Sequence, residues 1–278
     1  MLFFVFILFI LLFFYKNIFK LYKFEMDKFE NFENKKGLLI LYGESFRTGN
    51  RNTRIRDLEE CIEPQKNASN THNELIQYVK KRYNISMDVL INTYDTKYEK
   101  ELKGYYENPT FYSHKELLGW DKICQTAIDK VDKSKYSFIL FTRIDIFIKP
   151  EFNTLFNPSW DKIKFLSPME DEILCGFRKD KNGIHYPYTN PIFVFYPEKY
   201  FYVLNNMNAG HDIWSHYMDE HHLTENDMDF MVDYQFDANT ATVKNPYYKM
   251  TGREEGPIYM DENKKIKKQF IGKNYIDC

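Results

Sequence analysis

The sequence predicts an α/β domain built on a mostly parallel sheet flanked by helices, carried behind an N-terminal membrane-anchor helix. Three observations predict it. Apolar runs at 37–42, 87–92 and 136–149 each read as a buried strand. Helical stretches separate those runs, as βαβ units require. An unbroken apolar run, LFFVFILFILLFFY, opens the chain.

The opening run occupies 2–15 and continues through Ile18, Phe19, Leu21, Tyr22 and Phe24, with Lys16, Lys20 and Lys23 interspersed. It has no polar face, no basic stretch before it and no small-x-small cleavage site. Residues 1–24 therefore read as an uncleaved single-pass anchor rather than a signal peptide or a soluble core helix. Lysines follow the run and none precedes it, which would place the body on the cytoplasmic side. The sequons at Asn67 and Asn84 have meaning only in a lumenal chain. The membrane side stays open: a Golgi/ER-type membrane or a host or viral membrane suits the pattern.

Residues 25–36, EMDKFENFENKK, form a charged stem, and the domain is expected over 37–250. GLLILY at 37–42 is a central strand, and Gly43, Glu44, Ser45, Phe46 and Arg47 form a polar loop at its carboxyl end. That loop runs on through Arg51, Arg54, Arg56 and Asp57. A helix is expected to begin near 69–73 and to carry Leu75, Ile76 and Val79 to Tyr83. MDVLIN at 87–92 is a second strand ending in Thr93, Tyr94, Asp95 and Thr96. A short strand at 111–113 and a helix over 118–131 follow.

The run YSFILFTRIDIFIK at 136–149 reads as one strand closed by Pro150. Arg143 and Asp145 sit on one of its faces, and each charge is costly to bury unless it is paired or bound. They either pair structurally or mark a site, because ligands of open α/β sheets sit at the carboxyl ends of strands. Three strand tips would then bring Glu44 and Arg47, Tyr94 and Asp95, and Arg143 and Asp145 to one edge.

Strands are expected at 163–166 and 192–196, a helix after Pro197, and another up to His222. An acidic segment with Glu225, Asp227 and Asp229 is expected to cap a helix carrying Phe230 and Met231. His211, His216, His221 and His222 crowd this region. Tyr186, Tyr188 and Trp214 are either a sugar platform or core. The tail, 251–278, carries KKIKK and reads as solvated.

The net charge of −2 gives no sign of nucleic-acid binding. The four cysteines include no CxxC pair, which disfavours a zinc ribbon or a thioredoxin-type site. Gly-rich dinucleotide, Walker and Gly-x-Ser-x-Gly motifs are absent.

With those excluded, the chain resembles glycosyltransferases of the GT-A type, in which a strand runs into an Asp-x-Asp motif. Here the motif reads Arg143-Ile144-Asp145, with Arg in place of the first acid. LLILYGESFR with TRIRD, then INTYDT, then FTRIDIFIK also look like a group of uncharacterised glycosyltransferases from protists and large DNA viruses. The likeness covers most of 37–235.

The resemblance implies a membrane-anchored enzyme moving a sugar from a nucleotide-sugar donor to a glycan, protein or lipid acceptor. An inactive nucleotide-sugar or glycan-binding domain of the same fold is the alternative. It implies a donor diphosphate site at Arg143, Asp145, Glu44, Arg47, Tyr94 and Asp95, and Asp227 as catalytic base. A divalent metal (Mn2+ or Mg2+) would be held by Asp145 with another group. Without a metal, Arg143 would meet the diphosphate directly, its planar fork suiting phosphate oxygens. Both possibilities stay open at this point.

Overall fold

The computed structural model describes residues 36–48, 55–166, 177–179, 185–187, 192–207, 213–224, 226–232 and 247–250. The anchor (1–24), most of the stem (25–36) and the tail (251–278) lie outside the described residues, as do Arg51, Arg54, Tyr188, His211 and Glu225. Among the described residues no helix is long and apolar enough to cross a membrane.

Seven strands form the main sheet: β1 (Lys36–Gly43), β4 (Met87–Tyr94), β5 (Thr110–His114), β6 (Tyr136–Arg143), β8 (Ile163–Phe165), β11 (Phe193–Pro197) and β12 (Met228–Phe230), in the order β12-β8-β11-β6-β1-β4-β5. β5, β4, β1 and β6 are parallel neighbours. β11 runs antiparallel to both β6 and β8, and β12 is parallel to β8, so β11 alone is reversed. Two-stranded ribbons join β2 (Arg47–Thr48) to β3 (Ile55–Arg56), β7 (Ile146–Ile148) to β13 (Tyr248–Met250), and β9 (Phe177–Lys179) to β10 (His185–Pro187).

The helices are α1 (Ile62–Tyr83), α2 (Glu99–Gly104), α3 (Trp120–Ile128), α4 (Pro150–Leu155) and α5 (Ile213–His221). Alternation along the strands separates two cores. Leu38, Ile40, Ile139, Phe141, Val194 and Tyr196 belong to a cluster with Ile123, Cys124 and Ala127 of α3 and Tyr217 of α5. The alternate residues carry an aromatic layer, with Phe138, Phe152, Phe156, Phe193 and Phe195 stacked or edge-on to one another. Tyr83 at the end of α1 donates to the Phe156 carbonyl on this side.

Gly37 stands opposite Phe138 in the β1–β6 register, and a Cβ there would enter the Phe138 ring. Gly37→Ala is therefore expected to cost about 1–3 kcal/mol by overpacking. Urea denaturation checks this; a midpoint equal to wild type would show that the ring can move aside.

Several expectations change. The 136–149 run is two strands: β6 stops at Arg143, and β7 leaves the sheet to pair with β13. Pro150 starts α4 instead of merely ending a strand. α1 begins at Ile62, well before the expected 69–73, with Pro64 tolerated in its first turn. The segment after Pro197 is a 3-10 helix, Glu198–Asn205. The acidic segment caps no helix: Met228 and Phe230 are buried on either side of half-exposed Asp229, a period of two that makes strand β12.

Cys61 and Cys124 are free thiols, both fully buried. Burial pushes both upward in pKa, Cys124 well above its ordinary value.

Candidate functional site

β1 ends at Gly43 with φ 104°, a left-handed backbone that a side chain would strain. The chain turns there into Glu44, Ser45, Phe46 and Arg47. Thr93, near the end of β4, fixes the turn: its hydroxyl donates to the Gly43 carbonyl at 2.7 Å and accepts the Ser45 N–H at 3.3 Å. The tip of β6 is tied to β1 by one further bond, from Ile144 N–H to the Tyr42 carbonyl at 2.8 Å. The next residue, Asp145, lies in the turn between β6 and β7.

Asp145 does not open into solvent as a strand-tip carboxylate; it is 1% exposed. Arg143 grips it side-on, Nε donating to Oδ1 and Nη2 to Oδ2, both at 2.8 Å. Arg47 approaches from the other loop, with Nη2 3.3 Å from Oδ2. The other end of Arg47 donates from Nη1 to Glu44 Oε2 at 2.7 Å. Glu44, Arg47, Asp145 and Arg143 thus form a chain of alternating charge with no formal net charge. Burial works against the Arg143 cation, but the Asp145 carboxylate overrides it and holds the guanidinium above its ordinary pKa. Arg143 keeps a 25% exposed side chain, and its Nη1 lies on the side of the guanidinium away from Asp145.

The structure brings the β4 tip to the same edge. Tyr94 is buried and its hydroxyl donates to the Leu118 carbonyl at 2.8 Å. The Arg56 guanidinium lies 5.7 Å from the Tyr94 ring centre and donates to the Asp95 carbonyl at 2.5 Å. The Asp95 carboxylate is exposed, and it caps nothing, because α2 begins at Glu99 without a side-chain cap. One residue pair deeper, Asn92 donates to the Ile123 carbonyl and the Thr126 hydroxyl, which leaves its oxygen to accept from His114 Nε2 at 2.9 Å.

Asp227 is not brought to this cluster. It precedes β12, whose first residue, Met228, pairs with Ile163 at the start of β8. β8 runs in the same sense as β6, so Asp227 lies at the opposite edge of the sheet from Arg143. Its carboxylate accepts from the Thr224 N–H and hydroxyl and from the Tyr200 hydroxyl, at 2.8–2.9 Å. Hydrogen bonds from Thr224 hold its pKa below the usual carboxylate range, which weakens it as a base. Asp229 pairs with Lys164. His216 bonds the Asn206 carbonyl and sits edge-on to His221, while Tyr186 falls in β10 and Trp214 in α5.

A divalent cation needs several hard oxygen ligands. Both carboxylates of the cluster face guanidiniums. Among the described residues no group of three or more His, Cys, Asp and Glu side chains is placed to hold a metal. The described residues do not fit a metal at Asp145.

Behind Asp145 lies a layer that the sequence reading missed. Gln65, Ser69, Thr71 and His72 of α1 are all buried. The Tyr106 hydroxyl donates to Ser69 Oγ and meets His72 Nδ1 at 2.8 Å. The Thr71 hydroxyl accepts the Ile148 N–H of β7. The signal was present as polar residues at Gln65, Ser69 and His72, spaced i, i+4 and i+7 where an amphipathic helix would show apolar ones.

Burial lowers the His72 pKa to about 4, against a smaller opposing pull from the Ile146 backbone and Asp145. The unfolded chain takes up this proton near 6.5 and the folded protein only near 4, so stability is full above 6.5 and falls as pH drops between the two. The expected loss from this group alone is about 3 kcal/mol. His114 and His221, also held below their ordinary value, add to the same slope. Urea midpoints from pH 7 to 4, compared with those of His72→Gln, isolate the His72 share; parallel profiles would refute it.

No family model matches the chain, and no curated protein sequence matches it. Solved structures align with the chain at low similarity. A nucleotide-diphospho-sugar transferase structure from Desulfovibrio desulfuricans G20 aligns with TM-score 0.44 and 12% identity over 75% of this chain and 84% of its own. 4-Diphosphocytidyl-2C-methyl-D-erythritol synthase from Anaerococcus prevotii aligns with TM-score 0.42 and 10% identity, over 74% and 91%. Drosophila β1,4-galactosyltransferase 7, in complex with manganese, UDP-Gal and xylobiose, aligns with TM-score 0.41 and 8% identity, over 82% and 78%. The chain is similar to these proteins at a distance that assigns it to no family.

Proposed function

We propose that this chain is a glycosyltransferase that binds the diphosphate of a nucleotide-sugar donor at Arg143, with Asp145 and Arg47 behind it holding that guanidinium in place. One observation carries the reading: a buried carboxylate, Asp145, holds two guanidiniums at the carboxyl edge of a parallel sheet. Sugar transfer breaks the bond between the anomeric carbon and the diphosphate, and the departing nucleoside diphosphate takes the electron pair. The acceptor oxygen forms the new bond and passes its proton to the departing diphosphate or to solvent water. Fixed positive charge where the leaving group's negative charge grows is what such a step needs. Arg143 supplies it through Nη1, while Asp145 fixes its plane. Tyr94, Asp95 and the Arg56 contact at the neighbouring tip suit the nucleoside. The acceptor would be a glycan, protein or lipid, and residues 1–24 would anchor the enzyme in a membrane as a single-pass protein.

The test is calorimetry of the 36–278 chain with UDP, GDP and CDP in EDTA, repeated with Mn2+, followed by assay of diphosphate release from the matching sugar nucleotides. Binding in EDTA with release of the diphosphate is expected. A protein that binds none of the three in either buffer would overturn the reading.

A second reading, a nucleotide-sugar or glycan-binding domain without turnover, is favoured by one specific feature. Among the described residues both carboxylates of the cluster are ion-paired, and Asp227 lies at the far edge. Binding without release or transfer would select it.

A further inference from the structure

The Arg47 and Asp145 loops leave different strands, yet one side-chain amide joins them. Gln65 of α1 is 1% exposed. Its Oε1 accepts the Phe46 N–H at 3.0 Å, and its Nε2 donates to the Ile144 carbonyl at 3.1 Å. Phe46 immediately precedes Arg47, and Ile144 immediately precedes Asp145. The orientation of the amide is fixed by its partners, since one is a donor and the other an acceptor. Ser69 braces the head, receiving a longer bond from Nε2 at 3.4 Å and donating to the Gln65 carbonyl.

The Phe46 backbone shows why a brace is needed. Its φ is 47°, a left-handed conformation that a bulky residue adopts only under strain. Such strain persists where the surroundings over-determine it. Here the N–H goes to Gln65, the carbonyl accepts the Asp57 N–H at 2.9 Å, and the ring packs 5.0 Å from Tyr98 and 6.4 Å from Tyr105. The strained residue turns the chain so that Arg47 points inward to Asp145. A glutamate at 65 would lack the donor, and an apolar residue would lack both groups.

We propose that Gln65 is a positioning residue: it sets the separation of Arg47 and Asp145, and through Asp145 the direction in which Arg143 presents itself to a nucleoside diphosphate. The inference rests on the anion site proposed above.

The test compares full-length wild type with Gln65→Met, Gln65→Glu and Val79→Ala, the last being a buried change about four turns further along α1. Two readouts are taken: UDP affinity by calorimetry, and hydrogen exchange of the Phe46 and Arg47 amides without ligand. Gln65→Met is expected to weaken UDP binding about tenfold or more and to speed Phe46 exchange by a similar factor. Gln65→Glu, which keeps the acceptor, falls between. Val79→Ala keeps affinity within about twofold even where its thermal midpoint drops as far as that of Gln65→Met. Wild-type affinity and exchange in Gln65→Met would overturn the proposal, as would an equal loss of affinity in Val79→Ala. If Gln65→Met does not fold, the Gln65→Glu and Val79→Ala comparison decides. If wild type binds GDP or CDP but no UDP, that nucleotide replaces UDP in the affinity readout; if it binds none of the three, the proposed function fails, and the exchange rates alone decide whether Gln65 holds the loops.

Discussion

Asp145→Ala is expected to lose about 3–5 kcal/mol of folding stability in metal-free buffer. The carboxylate is 1% exposed and meets three guanidinium nitrogens within 3.3 Å. Removing it strips Arg143 of the partner that offsets its burial and leaves Arg47, 5% exposed, with Glu44. Two cations then face each other across a small cavity, a cost that solvent relieves only at the exposed part of Arg143. Asp145→Asn keeps the shape and loses the charge, so it should fall between. Urea denaturation in EDTA measures both. A carboxylate whose main task was to ligate a metal would give little change without metal; a loss under about 1 kcal/mol would therefore argue against the ion-chain account.

Arg143→Met is expected to weaken nucleoside diphosphate binding in EDTA by about 10- to 100-fold, the worth of one or two charge-assisted hydrogen bonds. Methionine keeps much of the apolar stem but carries no donor. Asp145 retains Arg47, so the protein should stay folded, with reduced stability. Arg143→Lys restores charge without the planar fork; it cannot hold Asp145 side-on while offering a nitrogen outward. Its affinity should recover only in part. Calorimetry on the three proteins checks this, and equal affinity in all of them would remove Arg143 from the site.

The sheet was legible because β1, β4 and β6 are buried along nearly their whole length, and helical stretches between them force parallel crossovers. The reversal of β11 was not. FVFYP is buried at every position, and such a strand reads the same in either direction. Arg143 and Asp145 were visible as charges out of place. Their pairing with Arg47 was not, because it depends on the left-handed turn at Phe46, which no local pattern announces. Asp227 looked like a helix-start acid because β12 is three residues long, too short to display its alternation. Gln65 was marked only by its spacing with Ser69 and His72 along one helix face, and polar residues at that spacing read as a solvated face until the packing against β7 is known.

The two buried thiols have a practical consequence. Only the thiolate attacks an alkylating reagent, and burial withholds both the proton loss and the access. Cys61 lies one helical turn before Gln65, whereas Cys124 sits in α3 against the other face of the sheet. Timed alkylation read by mass spectrometry would therefore act as a pair of clocks, one for breathing of the segment that carries Arg47 and one for breathing of the layer beneath the β4 tip.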